Sequence, residues 1–143
     1  MMKVPWAEPV FWGEEERYLL DALRSTWISD GPYVRKFERD FARRHGVKFC
    51  VTTSSGTTAL HLALLGLGVQ AGDEVLVPSF AFIAPVNMVM AVGATPVYAD
   101  IDPGTWCLDP ASAAGKVSAR TRALIAVHSY GNMCDMAALS REA

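Results

Sequence analysis

The sequence has no large excess of charge of either sign, few cysteines and histidines, and no internal repeat. These absences exclude several classes of protein. Its 143 residues carry 13 Lys and Arg against 15 Asp and Glu, a net charge of −2, whereas nucleic-acid-binding proteins have a strong basic excess. The three cysteines form no Cys-x-x-Cys pair, so we expect reduced core thiols in a cytoplasmic protein, not disulfides or zinc ligands. The three histidines have no acidic partner at ligand spacing, and no metal site is predicted.

A long uncharged segment, residues 75–99, is a candidate for a membrane span because it is long enough to cross a bilayer. However, Pro78, Pro85, Gly93 and Pro96 divide it into short pieces. We therefore predict a strand, a short helix and a second strand, all buried in the core of a soluble protein that makes no membrane contact. The N-terminus has no apolar run of the kind that secretory signals contain.

The hydrophobic pattern changes near residue 49, which predicts a helical segment, 1–48, followed by a second part, 49–143. The first part indicates helices at 14–25 and 33–44. The second part alternates strands and helices: strands at 49–53, 74–78, 95–101 and 123–129, and helices at 59–67, 83–92, 111–117 and from 135 onwards, with Asp135 as N-cap.

This alternation of helices with strands that are apolar on both faces predicts an α/β fold, with a mostly parallel sheet covered by helices in three layers. The predicted sheet has four strands, and the last of them would be an exposed apolar edge. Sheets usually have about 5–6 strands. We therefore expect the chain to be truncated and its second part to be an incomplete domain.

The helix predicted at 33–44 is rich in basic residues, which alternate with Glu38 and Asp40. Two interpretations stay open, an anion site and an ordinary solvated helix face, and the interleaved acids favour the second. The basic residues are Arg35, Lys36, Arg39, Arg43 and Arg44.

Ligands of open α/β sheets bind at the carboxyl ends of the strands, and residues 54–58 follow the first predicted strand. This Ser-Ser-Gly-Thr-Thr stretch leads directly into an apolar helix, whose free N–H groups and dipole favour an anion. Gly56 allows a phosphate to approach closely, and Thr57 adds a hydroxyl. The pattern is neither a P-loop nor a dinucleotide fingerprint. The alternative interpretation is a plain Ser/Thr N-cap.

The segments after two other predicted strands carry side chains that suit a ring-shaped ligand. Phe80 and Phe82 follow the second strand, and core packing is the favoured interpretation of these rings. The alternative is that one packs in the core while the other faces a planar ligand. His128, after the last strand, is either an acid/base or ring-contacting group or a hydrogen-bonded structural residue.

Several stretches, in the same order along the chain, resemble the DegT/DnrJ/StrS family of sugar aminotransferases. Residues 25–29 and 102–106 are most similar to the perosamine-synthase-like members, which act on GDP-4-keto-6-deoxymannose. The stretches include Trp-Ile-Ser-Asp-Gly at 27–31, Thr-Ser-Ser-Gly-Thr-Thr-Ala-Leu-His-Leu-Ala at 53–63, Gly-Asp-Glu-Val at 72–75, Pro-Ser-Phe-Ala-Phe at 78–82, Gly-Ala-Thr-Pro-Val at 93–97, Asp-Ile-Asp-Pro at 100–103 and Val-His-Ser-Tyr-Gly at 127–131.

The resemblance implies a pyridoxal 5′-phosphate (PLP) enzyme of fold type I, of which residues 49–143 would be the first part of the large domain. Gly56 and Thr57 would hold the PLP phosphate, and Phe82 would stack on the pyridine ring. Residues 27–31 would lie near the sugar nucleotide. The family transfers an amino group, expected to come from glutamate, to a keto group of a nucleotide-linked sugar, and it works as a homodimer.

The family's chemistry needs a Schiff-base lysine and an Asp beside the pyridine nitrogen, and neither has a match in this sequence. The four lysines, Lys3, Lys36, Lys48 and Lys116, lie outside the family's motif, so the Schiff-base lysine is expected beyond Ala143, as is the small C-terminal domain. The 143-residue chain alone is therefore predicted to be inactive. The alternatives are a PLP-dependent sugar dehydratase of the same family, which has His in place of that lysine, and a non-catalytic remnant or partner subunit.

Overall fold

A computed structural model describes residues 8–141, and the chain forms two compact units whose boundary falls between Thr52 and Thr53. The first unit contains two helices, α1 (Glu15–Ser25) and α2 (Pro32–His45). The second contains three strands and four helices: α3 (Gly56–Gly66), β1 (Glu74–Pro78), α4 (Ala84–Ala91), β2 (Thr95–Ala99), α5 (Pro110–Ala114), β3 (Thr121–Leu124) and α6 (Met136–Leu139).

The two helices of the first unit were both predicted, and the prediction is confirmed to within about one residue at each end. Proline at the first position of α2 is compatible with the helix because that residue's N–H would have no partner inside it. The preceding Gly31 has φ +143°, and a Cβ there would lie 2.8 Å from the Cβ of Trp27. Only glycine fits this turn without strain.

Three of the five arginine and lysine residues of α2 form ion pairs on the helix surface. Asp40 accepts from Lys36 at 2.5 Å and from Arg43 at 3.2 Å, and these cations hold the pKa of Asp40 below its usual value. Arg35 lies 3.6 Å from Asp30. The pairing supports the interpretation of a solvated helix face.

The strands of the second unit form a parallel sheet in the order β2-β1-β3. The central strand is buried on both faces, since Val75, Leu76 and Val77 are at most 1% exposed. Val75 and Val77 pack with α3 and α4, whereas Leu76 packs on the opposite face with residues of α5 and α6. The predicted α/β fold, a parallel sheet between two layers of helices, is confirmed.

Residues 75–99 form β1, α4 and β2, as predicted. Pro85 lies in the first turn of α4, and Gly93 follows the helix with φ +81°. In the part of the chain that the structure covers, no helix is long and apolar enough to cross a membrane.

One carboxylate ties together the amino ends of β1 and β3. Glu74, at the start of β1, accepts from Ser118 Oγ at 2.5 Å and from Arg120 Nε at 2.9 Å, just before β3 begins. Its side chain is only 9% exposed. These hydrogen bonds, that of Ser118 first, hold the pKa of Glu74 below its usual value.

The strand predicted at 49–53 is wrong. Its β-branched and aromatic residues favour a strand, but no strand among residues 8–141 forms a ladder with it, and Phe49 and Val51 are mostly exposed. The segment is held instead by Glu38, whose carboxylate accepts from the N–H and hydroxyl of Thr52 at 2.8 and 2.9 Å. Strand propensity is realised only where a partner supplies hydrogen bonds.

The last predicted strand is also too long, because β3 ends at Leu124 instead of residue 129. Ile125 N donates to Leu76 O at 2.9 Å, and the next ladder bond would need an N–H from Pro78, which proline lacks. Helix α6 begins after Asp135, whose side chain accepts from Ala138 N as an N-cap should. The final two residues of that predicted helix, 142 and 143, lie outside the described residues.

Candidate functional site

The N-terminus of α3 combines a capped first turn with unused donors. Ser55 Oγ accepts from Thr58 N at 3.2 Å, and Thr58 Oγ1 accepts from Ser55 N at 3.0 Å, which makes a reciprocal capping box. The N–H groups of Gly56 and Thr57, and the hydroxyl of Thr57, have no partner in residues 8–141. The Ser/Thr N-cap and the anion site are therefore compatible interpretations of one loop, since the cap leaves two N–H groups and the dipole for a ligand.

Open space adjoins these donors. Gly56 has an ordinary helical backbone, and a Cβ built on it would meet no atom within 4 Å. Glycine is therefore not needed for packing or backbone geometry at this position. The missing side chain matters only if something outside the described chain occupies that space.

The segment after β1 places its two phenylalanines in different surroundings. Phe80 packs against Trp106 and Tyr130, with ring centroids 5.1 and 6.3 Å away, but it is 40% exposed. Phe82 is 80% exposed and lies on the wall of a cleft. Neither phenylalanine is therefore a core residue, and the prediction of core packing is wrong. An aromatic side chain left this exposed beside a cavity is available to cover a ligand ring.

The cleft has a volume of about 440 Å³, within the range of small-molecule sites. It brings together Gly56, Thr57 and Phe82, the three residues predicted to bind the cofactor, with His128 beside them. The rest of its wall is formed by apolar residues and was not predicted from the sequence. Ala81, Ile125, Ala126 and Val127 lie in segments that follow β1 and β3, as the carboxyl-end rule suggests, and Leu60, Ala84 and Pro85 lie in α3 and α4.

His128 is hydrogen-bonded on one side of its ring. Its Nδ1 accepts from Cys134 N at 3.2 Å, and Cys134 Sγ donates to Val127 O, also at 3.2 Å. Cys134 is buried, and this burial raises the pKa of its thiol. Cys107 is likewise a buried free thiol, whereas Cys50 is half-buried. Cys107 and Cys134 are core thiols, as predicted, whereas Cys50 belongs to neither core cluster, so the prediction is wrong for that residue.

Two further features were not foreseen from the residues alone. Trp106 and Tyr130 have positive φ, 61° and 51°, which side chains this large rarely adopt, and they pack together around Phe80. Residues 27–31, expected near a sugar nucleotide, lie in the first unit and are not among the residues that line the cleft. Trp27 there is 56% exposed.

The cleft residues fit PLP on the chain's own geometry. Two backbone N–H groups, a hydroxyl and a helix dipole suit a dianionic phosphate, and an exposed phenyl ring suits a pyridine ring. No lysine of the described chain lines the cleft; Lys36, Lys48 and Lys116 lie elsewhere, and Lys3 falls outside the described residues.

Comparison with known proteins shows which family the chain resembles. The profile of the DegT/DnrJ/EryC1/StrS aminotransferase family matches residues 11–143. The GDP-perosamine synthase of Escherichia coli O157:H7 is 44% identical over 137 residues, which are 95% of this chain and 38% of that protein. The L-glutamine:2-deoxy-scyllo-inosose aminotransferase of Streptoalloteichus tenebrarius is 42% identical over 94% of this chain and 34% of its own length.

Solved structures agree with the sequence comparison. An aminotransferase from Psychrobacter cryohalolentis superposes with a TM-score of 0.86 at 35% identity, over 97% of this chain and 35% of that one. The Escherichia coli GDP-4-keto-6-deoxy-D-mannose-3-dehydratase, determined with bound hydrated PLP, gives 0.88 at 27% identity, over 99% and 38%. The chain thus spans little more than a third of these proteins' length. It belongs to the DegT/DnrJ/EryC1/StrS aminotransferase family.

Proposed function

We propose that this chain is the N-terminal part of a PLP-dependent aminotransferase that moves an amino group, from glutamate, to a keto group of a nucleotide-linked sugar. The observation that carries the proposal is the cleft that Gly56, Thr57 and Phe82 share in the second unit. Membership of an aminotransferase family supports the reaction class. The Escherichia coli dehydratase structure, which holds hydrated PLP, supports the cofactor.

Each cleft residue has a distinct task in this proposal. The N–H groups of Gly56 and Thr57 donate to the phosphate, and the Thr57 hydroxyl adds a third donor. Ser55 and Thr58 satisfy each other, which keeps the first turn of α3 rigid without using those donors. Phe82 covers one face of the ring. PLP, when bound, supplies the group that carries nitrogen from donor to acceptor.

We propose GDP-4-keto-6-deoxymannose as the sugar substrate. Support comes from the 44% identity with a protein named as a GDP-perosamine synthase. An aminotransferase named for 2-deoxy-scyllo-inosose is 42% identical, so the choice among keto substrates needs a direct test. The test is to incubate the intact protein, made from its own gene, with PLP, glutamate and candidate keto sugars, and to identify the product by mass spectrometry. An amino sugar supports the proposal; unchanged substrate in every reaction contradicts it.

A dehydratase of the same family is the second candidate. The observation that favours it is the TM-score of 0.88 with the Escherichia coli GDP-4-keto-6-deoxy-D-mannose-3-dehydratase over 99% of this chain. The same incubation separates the two reactions, because amination adds nitrogen to the sugar whereas dehydration removes the elements of water. Loss of the C3 oxygen without gain of nitrogen would select the dehydratase.

The 143-residue chain by itself is expected to be inactive. Covalent attachment of PLP and the proton transfers of transamination need a lysine in the site, and no described lysine lines the cleft. The purified chain, supplied with PLP, glutamate and the keto sugar, should form no amino sugar above the rate of a reaction without protein. Turnover by the chain alone would contradict this expectation, and turnover only with a larger partner would identify a subunit role.

We further propose that the full-length protein is a cytoplasmic homodimer without nucleic-acid or membrane partners. The support for a reducing compartment is that Cys50, Cys107 and Cys134 are unpaired thiols. The net charge of −2 argues against nucleic acid. Light scattering of the intact protein tests the dimer directly.

A further inference from the structure

Among the described residues that line the cleft, His128 alone has a titratable side chain. The only other polar side chain there is the hydroxyl of Thr57, which lies in the first turn of α3 with the N–H groups of Gly56 and Thr57. The remaining wall is formed by apolar side chains and Phe82. A ligand oxygen that lies away from the α3 terminus would therefore have His128 as its only side-chain donor in this part of the chain.

The tautomer of the His128 ring follows from its hydrogen bond. A backbone N–H can only donate, so Nδ1, which accepts from Cys134 N at 3.2 Å, carries no proton. The neutral ring therefore has its proton on Nε2. Cys134 is itself fixed, since it is 4% exposed and its Sγ donates to Val127 O at 3.2 Å. The ring is thus held as an Nε2–H donor, and within residues 8–141 this donor has no partner.

We propose that His128 binds the ring portion of the cofactor, donating its Nε2–H to an acceptor oxygen on the pyridine ring, while the phosphate is bound at the terminus of α3. The inference rests on the proposed PLP site. PLP carries a ring oxygen far from its phosphate, and burying that oxygen in an apolar cleft without a donor would weaken binding. His128 supplies a side-chain donor for that oxygen, and Cys134 orients it.

Two substitutions separate this role from a purely structural one. In His128→Gln, the side-chain amide N–H can occupy the place of Nε2–H, but nothing replaces Nδ1. In His128→Asn, the amide oxygen can occupy the place of Nδ1 and accept from Cys134 N, but no donor reaches the cleft. A ligand-binding role thus predicts that the Asn variant fails, and a structural role predicts that the Gln variant fails.

The experiment is a calorimetric titration of the 143-residue chain and both variants with pyridoxamine 5′-phosphate (PMP). PMP keeps the ring oxygen and the phosphate but has no aldehyde to react with surface lysines. The Asn variant should bind PMP on the order of tenfold more weakly than the unsubstituted chain, and the Gln variant within about twofold. Inorganic phosphate, titrated separately, should bind all three chains equally because it occupies only the α3 terminus.

Each other outcome contradicts either the ring contact or the cofactor site. Equal PMP affinity of the Asn variant, or an equal loss in both variants, overturns the ligand-binding role of His128. Weaker phosphate binding in the Asn variant would assign the donor to the phosphate and overturn the ring contact. If the unsubstituted chain binds neither PMP nor phosphate, the proposed PLP site itself fails. Thermal melts identify a variant that is simply unfolded. His128→Ser, whose short side chain likewise brings no donor to the cleft, replaces His128→Asn if that variant does not fold.

Discussion

At the scale of single residues, Gly56 offers the most direct test of the phosphate site. Gly56→Ala adds a methyl group where the backbone is helical and no atom lies within 4 Å, so the chain should fold as before. The same methyl group takes space beside the N–H groups that are proposed to bind the phosphate. We expect PMP affinity to fall on the order of tenfold, about 1.4 kcal/mol, in a calorimetric titration.

Gly66 provides the matched control for this substitution. It ends the same helix, a Cβ there also meets no atom within 4 Å, and it does not line the cleft. Gly66→Ala should therefore leave PMP binding unchanged. PMP binding that is equally strong in Gly56→Ala would show that the phosphate lies elsewhere.

Phe82 tests the ring contact in the same way. Because it is 80% exposed, Phe82→Ala should shift the melting temperature by no more than about 2 °C. Loss of stacking should nevertheless weaken PMP binding roughly threefold to tenfold. Phe82→Tyr keeps the aromatic face and should bind like the original chain. If the Ala and Tyr variants bind PMP equally well, Phe82 does not contact the ring.

At the scale of elements, the ends of β1 are explained by individual side chains. Its amino end is joined to the start of β3 through Glu74, and its carboxyl end is Pro78, which stops the ladder to β3. The cleft residues Ile125, Ala126, Val127 and His128 follow immediately after that stop, as irregular chain. Because the ladder ends at this proline, the segment that forms one wall of the site is not part of the sheet.

The carboxylate of Glu74 predicts a component of acid sensitivity. Its pKa is lower in the folded chain than in the unfolded chain, where it is about 4.3. The ionised group therefore stabilises the fold fully above that pH, and this contribution is lost as the pH falls through the folded pKa. Glu74→Gln should lower the melting temperature at neutral pH and reduce the further loss between about pH 5 and pH 3.

Glu8 serves as the control for Glu74, because it is an exposed carboxylate in irregular chain. Glu8→Gln should leave the whole melting-temperature profile nearly unchanged. If Glu74→Gln keeps the acid sensitivity of the original chain, other carboxylates cause that sensitivity and Glu74 does not.

How far the elements could be predicted from sequence depended on whether their signals were local. Helix α3 and strand β1 were predictable because uninterrupted apolar runs are local signals, although α3 begins at Gly56, three residues before its predicted start at 59. The strand expected at 49–53 failed because strand formation also needs a pairing partner, which no local pattern reveals. The early end of β3 came from Pro78, a residue 46 positions before Leu124, so its effect became visible only once the register was known.

The same distinction applies to the cleft. Gly56 and Thr57 were identified because they lie at the start of an apolar helix, although the strand predicted before them does not form. Phe82 was chosen over Phe80 only on the resemblance to the family. The apolar wall and the Cys134–His128 hydrogen bond could not be predicted, because they depend on how loops of different strands meet. The packing of Trp106 with Phe80 and Tyr130 depends on the left-handed backbone of Trp106 and Tyr130, which residues of these types rarely adopt and which the sequence therefore did not predict.

At the scale of the whole molecule, the chain corresponds to 38% of the length of its Escherichia coli relative and carries a cleft at the carboxyl ends of its sheet. The proposed phosphate and ring contacts are all in residues 53–143, whereas no lysine of the kind that the proposed reaction requires lies on the described part of the cleft wall. Cofactor recognition and catalysis are thus expected to be separable in this protein. The chain should bind the cofactor reversibly and weakly.

We propose that the cleft recognises a phosphate-bearing pyridine through the N-terminus of α3. The most direct measurement compares two ligands on the same 143-residue chain, PMP and pyridoxamine, which differ only in the phosphate. If Gly56 and Thr57 bind the phosphate, calorimetry should give PMP at least a tenfold higher affinity, since hydrogen bonds to a charged group contribute about 1.5–3 kcal/mol. Equal affinities for the two ligands would contradict the claim.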